Sequence, residues 1–150
     1  MNEWLQYITA ATALTGAILG IMNTWRAMDQ NRLRLKVRPT HALLMPQAEH
    51  LFAIEVINRS TFPVAVSEIG FTEASSKRRF SVVEYHATTH AKLPLTLEPR
   101  DAISFYFDPG DRKLLGQVIG KAYAKTTCGE IAFGSTPALK QLRYILSQAT

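Results

Sequence analysis

Cysteine is nearly absent from this 150-residue sequence, and tryptophan is confined to its beginning. Cys128 is the single cysteine, so the chain cannot form an internal disulfide. The two tryptophans are Trp4 and Trp25, and none follows them. These absences exclude the disulfide and the buried tryptophan that mark antibody domains. A lone cysteine is compatible with a reducing compartment.

The signatures of catalysis and of nucleotide binding are also missing. The sequence has no P-loop, no GxGxxG and no GxSxG motif. His86 and His90 have a spacing that could hold a metal ion, but no cluster beside them in sequence completes the three or four ligands that a site needs. A nucleophilic cysteine needs a base within reach, and the turn-like stretch TTCGE favours a structural role for Cys128. We therefore predict no enzyme, no cofactor and no metal site.

Formal charge is absent between Leu5 and Thr24. A helix of that length spans about 30 Å, which is the thickness of the hydrocarbon core of a bilayer. Trp4 and Trp25 would then lie one at each membrane interface, where indole rings are enriched. The run predicts a membrane anchor helix over residues 1–26. A buried helix of a soluble protein is the alternative, and the polar residues within the run favour it.

One face of this predicted helix carries small and weakly polar side chains. At 100° per residue they fall within an arc of roughly 120°. Gly16 and Gly20 form a GxxxG motif, which lets helix backbones approach closely, and threonine or asparagine can hydrogen-bond across such a contact. We expect this face to contact another membrane helix, from a second copy or from a foreign protein, through Thr9, Thr12, Gly16, Gly20 and Asn23.

Positive charge is concentrated directly after the apolar run. The formal net charge is +5, and one segment with a single acid, Asp29, supplies four of these charges. This local concentration argues against nucleic-acid binding, which favours a broad basic surface. It predicts contact with lipid headgroups instead. The predicted basic collar consists of Arg26, Arg32, Arg34, Lys36 and Arg38.

The position of the basic segment also predicts the topology. Basic residues favour the cytoplasmic side of a membrane, so the C-terminal domain should be cytoplasmic, with a periplasmic or extracellular domain as the alternative. A cleaved signal peptide is disfavoured because the first three residues, Met-Asn-Glu, carry an acid and no basic residue. We expect an uncleaved, single-pass anchor followed by a linker at residues 27–32.

Period-two alternation begins after the linker and indicates β-structure. Leu33, Leu35 and Val37 alternate with basic residues, and Pro39 ends this strand or lies at a sheet edge. Short strands separated by turn residues, without long helices between them, predict an antiparallel β-sandwich over residues 33–134. Further strands are predicted at residues 41–45, 51–57, 64–72, 79–85, 93–97, 102–107, 118–125 and 131–133.

The last segment, residues 135–150, is predicted to be a short helix. Ser135 or Thr136 can cap it, and Pro137 suits its first turn. An apolar stripe should pack it on the sandwich, with docking to a partner as the alternative. The stripe consists of Leu139, Leu142, Ile145 and Leu146.

Three stretches of the β region carry a resemblance to a known class of proteins. They are EVINRSTFPVAVSEIGF, LPLTLEPRDAISFYF and AYAKTTCGEIAF. Together they resemble the immunoglobulin-like module found behind a single membrane helix in small uncharacterised bacterial and phage proteins. The resemblance covers roughly residues 33–134. It implies a fold and no activity.

These observations favour a membrane-anchored interaction module. The helix would associate through its small-residue face, as a homo-oligomer or in a complex, and the sandwich would present a binding surface. The alternative is an accessory or structural subunit of a larger membrane or phage-derived assembly. An enzyme is the least favoured class, because no motif supports one.

Overall fold

The computed structural model describes residues 2–44, 49–76, 78–83, 85–87, 92–108 and 118–148. The chain divides into two compact units, Met1–Arg32 and Leu33–Thr150. We call these the helical unit and the β unit.

The helical unit is one helix, α1, which runs over Asn2–Gln30. It continues beyond the uncharged run through the polar residues after Trp25. Backbone bonds of 3.3 Å from Asn31 N to Ala27 O and from Arg32 N to Asp29 O follow its last turns. Among the described residues, α1 is the helix that is long and apolar enough to cross a membrane, and none of that span is buried.

The β unit is mainly β-structure, with one short helix at its end. Its described elements, numbered along the chain, are β1 (Leu35–Leu44), β2 (Glu49–Asn58), β3 (Val64–Glu73), β4 (Arg79–Ser81), β5 (His86–Ala87), β6 (Leu95–Leu97), β7 (Ala102–Phe107), β8 (Ile119–Thr126), β9 (Ile131–Gly134) and α2 (Pro137–Gln148).

The strands form two antiparallel sheets. The first has the order β1-β2-β7-β5, and the second has the order β4-β3-β8-β9 with β6 also paired to β3. Every described strand pair is antiparallel, as the turn-rich sequence predicts. β5 was not predicted, because two residues are too short to show a periodic pattern.

The core follows from the alternation within these strands. Phe52, Ile54 and Val56 of β2 have no exposed surface, whereas Glu55 between them is partly exposed. Side chains of both sheets and of α2 join one buried cluster. Burying an aliphatic or aromatic side chain contributes about 1.5–3 kcal/mol, so this cluster supplies the main stabilising term of the β unit. Its members include Val37, Val66, Ile69, Phe71, Phe105, Ala124, Leu139 and Leu142.

The structure decides between the two outcomes predicted for Pro39: this residue lies within an edge strand and does not end it. The two strands predicted on either side of Pro39 are parts of the single strand β1, Leu35–Leu44, which is the edge strand of its sheet. Residue 45 lies outside the described residues. A backbone bond of 2.7 Å from Arg59 N to Arg34 O sets the alternation of the ladder and leaves Pro39 opposite Ile54 at a non-hydrogen-bonded position. The missing N–H of Pro39 therefore costs no ladder bond, and its C=O accepts from Thr136 Oγ1 at 2.5 Å.

The structure also corrects the predicted stripe of α2. Leu139 and Leu142 are fully buried and Leu146 nearly so, but Ile145 is 47% exposed. At 100° per residue, Ile145 lies about 60° beyond Leu142 on the helix surface, outside the narrow face that meets the sheets. The packing of α2 on the β unit is confirmed through the other three leucines.

The buried side chain of Asn58 joins two turns of the β unit. Asn58 has no exposed surface. Its Nδ2 donates to Phe62 O at 2.9 Å, to Leu97 O at 3.0 Å and to Glu98 O at 3.1 Å. Its Oδ1 accepts from Ser60 N at 2.9 Å. One amide therefore ties the β2–β3 turn to the β6–β7 turn, which lies about forty residues away in sequence.

We expect Asn58→Ala to destabilise the β unit by about 3 kcal/mol, because it leaves several buried backbone groups without a partner. Asn58→Asp should be similarly damaging, since a carboxylate cannot donate to the three carbonyls. Arg59→Ala, at the exposed neighbouring position, should change stability by no more than about 0.5 kcal/mol. Denaturant unfolding followed by circular dichroism measures all three. Equal midpoints for Asn58→Ala and Arg59→Ala would remove the role of the amide.

Candidate membrane and interaction surfaces

The surface of α1 is apolar over the length of a bilayer. Trp4 is 78% exposed and Trp25 is 75% exposed. Leu14 and Ile21 between them are also mostly exposed. A helix with this much exposed apolar surface is unfavourable in water, whereas a bilayer covers that surface along its whole length.

The threonine hydroxyls of α1 are paired within the helix. Thr9, Thr12, Thr15 and Thr24 each donate to the carbonyl four residues earlier, at 2.7–2.9 Å. Unpaired donors are costly in hydrocarbon, and these bonds remove that cost before insertion. They also modify the predicted helix contact. To donate across an interface, Thr9 or Thr12 would first have to break its own bond, so these hydroxyls suit an acceptor role.

The predicted small-residue face of α1 is uncovered. Thr9, Thr12, Gly16, Gly20 and Asn23 are all exposed. A Cβ added at Gly16 or Gly20 would meet no other atom within 4 Å, leaving aside the nearby backbone of α1 itself. The Asn23 amide, unlike the threonine hydroxyls, has no hydrogen-bond partner within the described part of the chain. It is the group on this face that can donate to a second helix without breaking a bond.

The residues of the predicted basic collar belong to both units of the chain. Arg26 lies on α1 and Arg32 follows its end, whereas Lys36 and Arg38 are exposed positions along β1. A strand rises by about 3.3 Å per residue, so Arg38 is about 13 Å further along the chain than Arg34. Arg38 also lies directly opposite Glu55 in the β1–β2 ladder. Lys36 and Arg38 therefore lie along an exposed face of the sheet, and Arg34 lies directly before the first residue of β1.

The sequence also singled out His86, His90 and Cys128. His90 lies outside the described residues. Within the described residues, no group of three or more potential metal ligands is present. Cys128 is exposed in the turn between β8 and β9, with its Sγ 3.0 Å from Thr126 Oγ1. The hydrogen bond with Thr126 lowers the pKa of the Cys128 thiol below its ordinary value. This thiol is accessible to labelling reagents.

The sequence analysis missed a polar cluster on the outer face of the second sheet. Tyr123 alternates with two core alanines, and it lies opposite Gly70 of β3. Its hydroxyl donates to Glu68 Oε1, and the Arg79 guanidinium carbon lies 5.6 Å from its ring centroid. Burial, reinforced by Glu68, raises the pKa of Tyr123 well above its ordinary range.

This cluster explains how a tyrosine on an outward face is fully buried. A Cβ at Gly70 would lie 1.9 Å from Phe80 O, so the absence of a side chain there lets β4 approach β3 closely beside Tyr123. Lys125 Nζ lies 3.9 Å from Glu68 Oε2 and completes the cluster. These contacts link β3, β4 and β8 across the outer face of the sheet. The alternation could have placed Tyr123 outward, but it could not identify Glu68 and Arg79, which lie more than forty residues away, as its partners.

Comparisons with known proteins assign no family to the chain. No family model matches it, and no curated protein matches it. A solved structure, Northeast Structural Genomics Consortium target SoR45, shares 16% sequence identity with it over 73% of this chain and 91% of that chain. The TM-score of that pair is 0.29, which carries no statement about fold or function.

Proposed function

We propose that the chain is a single-pass membrane protein whose β unit is an interaction module. In this proposal α1 spans the bilayer and associates through its small-residue face with another membrane helix. The observation that carries it is the fully exposed apolar surface of α1, together with threonine hydroxyls that are all paired within the helix. A bilayer provides cover for that surface, and the self-paired hydroxyls make insertion favourable.

We further propose that the β unit is an immunoglobulin-like sandwich. Constant-type immunoglobulin domains have one sheet of strands A, B, E and D and another of strands C, F and G. The order β1-β2-β7-β5 corresponds to the first sheet, and β3-β8-β9, extended by β4, corresponds to the second. The single buried cluster shared by both sheets supports the same assignment. Sandwiches of this kind commonly bind through loops and sheet faces, which suits an interaction module.

The proposed partner of α1 is a second copy of the chain. Gly16 and Gly20 allow two backbones to approach closely, and the Asn23 amide can donate across the contact. A foreign helix with the same requirements is the alternative, and it would make the protein an accessory subunit of a larger assembly. Cross-linking in detergent separates the two, because it yields either a dimer of this chain or a stoichiometric foreign product.

The chain should remain in the membrane fraction after an alkaline carbonate wash, with the β unit in the cytoplasm. A membrane-impermeant maleimide should therefore label Cys128 only after cell lysis. The variant Glu3→Cys/Cys128→Ser moves the thiol to the first turn of α1, and intact cells should label it. Labelling of Cys128 before lysis would reverse the topology, and release by carbonate would exclude the anchor.

Replacing Gly16 and Gly20 together by isoleucine should abolish self-association in a membrane two-hybrid assay. The added side chains hold two backbones apart, while open space around both positions leaves a single helix undisturbed. Insertion should not change, because isoleucine is at least as apolar as glycine.

The matched control is Ala11→Ile/Thr15→Ile. It adds two isoleucines at the same four-residue spacing, outside the small-residue face, and should preserve association. If both double variants behave alike, α1 is an anchor that does not use this face.

A further inference from the structure

One end of the β unit is built from four segments that are distant in sequence. It comprises the beginning of β1 and the turns β2–β3, β6–β7 and β8–β9, and we call it the linker end because residues 27–32 join the β unit there. Backbone bonds hold the segments together. Arg59 N donates to Arg34 O at 2.7 Å, and Arg100 N donates to Asn58 O at 2.9 Å. Thr127 N donates to Ala65 O, also at 2.9 Å.

Three of these segments bring an exposed arginine to the linker end: Arg34, Arg59 and Arg100. The bond between Arg59 and Arg34 continues the β1–β2 register by one pair, so these arginines lie directly opposite each other. Like charges at opposite positions of a ladder are destabilising. The register thus brings two positive charges to the same position of the ladder.

Arg100 occupies a backbone position that normally favours glycine. Its φ is 65°, Pro99 precedes it, and Asp101 N donates to Glu98 O at 3.1 Å. These features define a type II turn, in which the third position requires a positive φ and is usually glycine or asparagine. A long charged side chain at such a position is a local conflict, and conflicts of this kind concentrate at functional sites.

Acidic groups also lie at the linker end, among the three arginines. Asp101 Oδ1 accepts from Ala102 N at 2.8 Å, so this carboxylate is directed onto its own backbone. Glu98 and Glu130 are exposed. The surface is thus a mixed one in which the guanidinium groups come from turn tips and a strand end. Guanidinium groups bind phosphate oxygens in a two-pronged geometry, which makes phosphate the matching ligand.

We propose that Arg34, Arg59 and Arg100 dock the linker end of the β unit on anionic phospholipid headgroups. This rests on the proposed insertion of α1. Arg59 and Arg100 lie in exposed turns and Arg34 lies at an exposed position directly before β1, which suits a planar array of headgroups, whereas a soluble phosphate is usually held in a concave site. The chain enters the β unit at this end, through Leu33, and residues 26–32 alone separate it from Trp25. Arg59 and Arg100 extend the headgroup contact beyond the basic segment that the sequence showed.

The test uses the full chain in lipid nanodiscs with a fluorophore on Cys128, which lies in a turn of the linker end. One disc contains phosphatidylcholine only, and the other is two parts phosphatidylcholine to one part phosphatidylglycerol. A headgroup-attached quencher in trace amount reports docking. Trp4 and Trp25 report insertion of α1 separately, through quenching by brominated acyl chains.

Quenching of the Cys128 label should be stronger in the anionic discs. Arg59→Gln/Arg100→Gln should lower the ratio of docked to undocked protein roughly 25-fold, since each basic residue near an anionic surface contributes about a fivefold factor. Arg78→Gln/Lys140→Gln removes two exposed charges elsewhere on the β unit and should leave docking unchanged.

Three results would overturn the inference. The first is equal quenching in both discs, and the second is equal docking by both double variants. The third is equally strong quenching of the Cys128 label in neutral discs to which inorganic phosphate has been added, which would make the ligand a soluble phosphate. If the tryptophans show no insertion, the proposed function itself fails and the inference fails with it. Insertion without docking rejects the inference alone.

Discussion

The side-chain amide of Asn58 is the interaction on which the linker end of the β unit depends. It is fully buried, and its hydrogen bonds join the turn after β2 to the turn before β7. The backbone of the same residue bonds to both Arg100 and Asp101. Asn58 therefore makes hydrogen bonds to three residues of the strained turn: Glu98, Arg100 and Asp101. A strained backbone persists only where its surroundings fix it, and here Asn58 does so.

The helical unit is stabilised differently from the β unit, because it has no buried core. Its stability comes from hydrogen bonds within α1, to which the four threonine hydroxyls add. Such a helix is self-sufficient in hydrocarbon and gains little from apolar contact with another helix. In the proposed helix pair, association would come from close approach at Gly16 and Gly20 and from the Asn23 amide. The bulky face of α1 would then contact lipid. The small face, which has few large side chains, would contact the other helix.

Sequence periodicity predicted the strands that have one buried face. It did not predict features that depend on contacts between segments distant in sequence. β7 was predicted with correct bounds, and the inward side of β2 was predicted because Phe52, Ile54 and Val56 alternate with Glu55. The sequence left open whether Pro39 ends a strand or lies at a sheet edge, because the answer depends on which edge of β1 meets β2. The proximity of Arg34, Arg59 and Arg100 could not be predicted, since it arises from backbone bonds between distant segments. The burial of Tyr123 likewise required knowing that Gly70 lies opposite it.

The two proposed surfaces reinforce each other through effective concentration. A contact worth about 1 kcal/mol per arginine is too weak to recruit a free protein to a membrane. On a chain already anchored by α1, docking of the linker end is intramolecular, so a weak contact suffices to bias its position. If α1 also dimerises, two sets of arginines face the same patch of headgroups, and the preference for anionic lipid adds over both copies. Mixed charge at the linker end is then an advantage, because it keeps each copy's contact weak and reversible while the anchor provides the affinity.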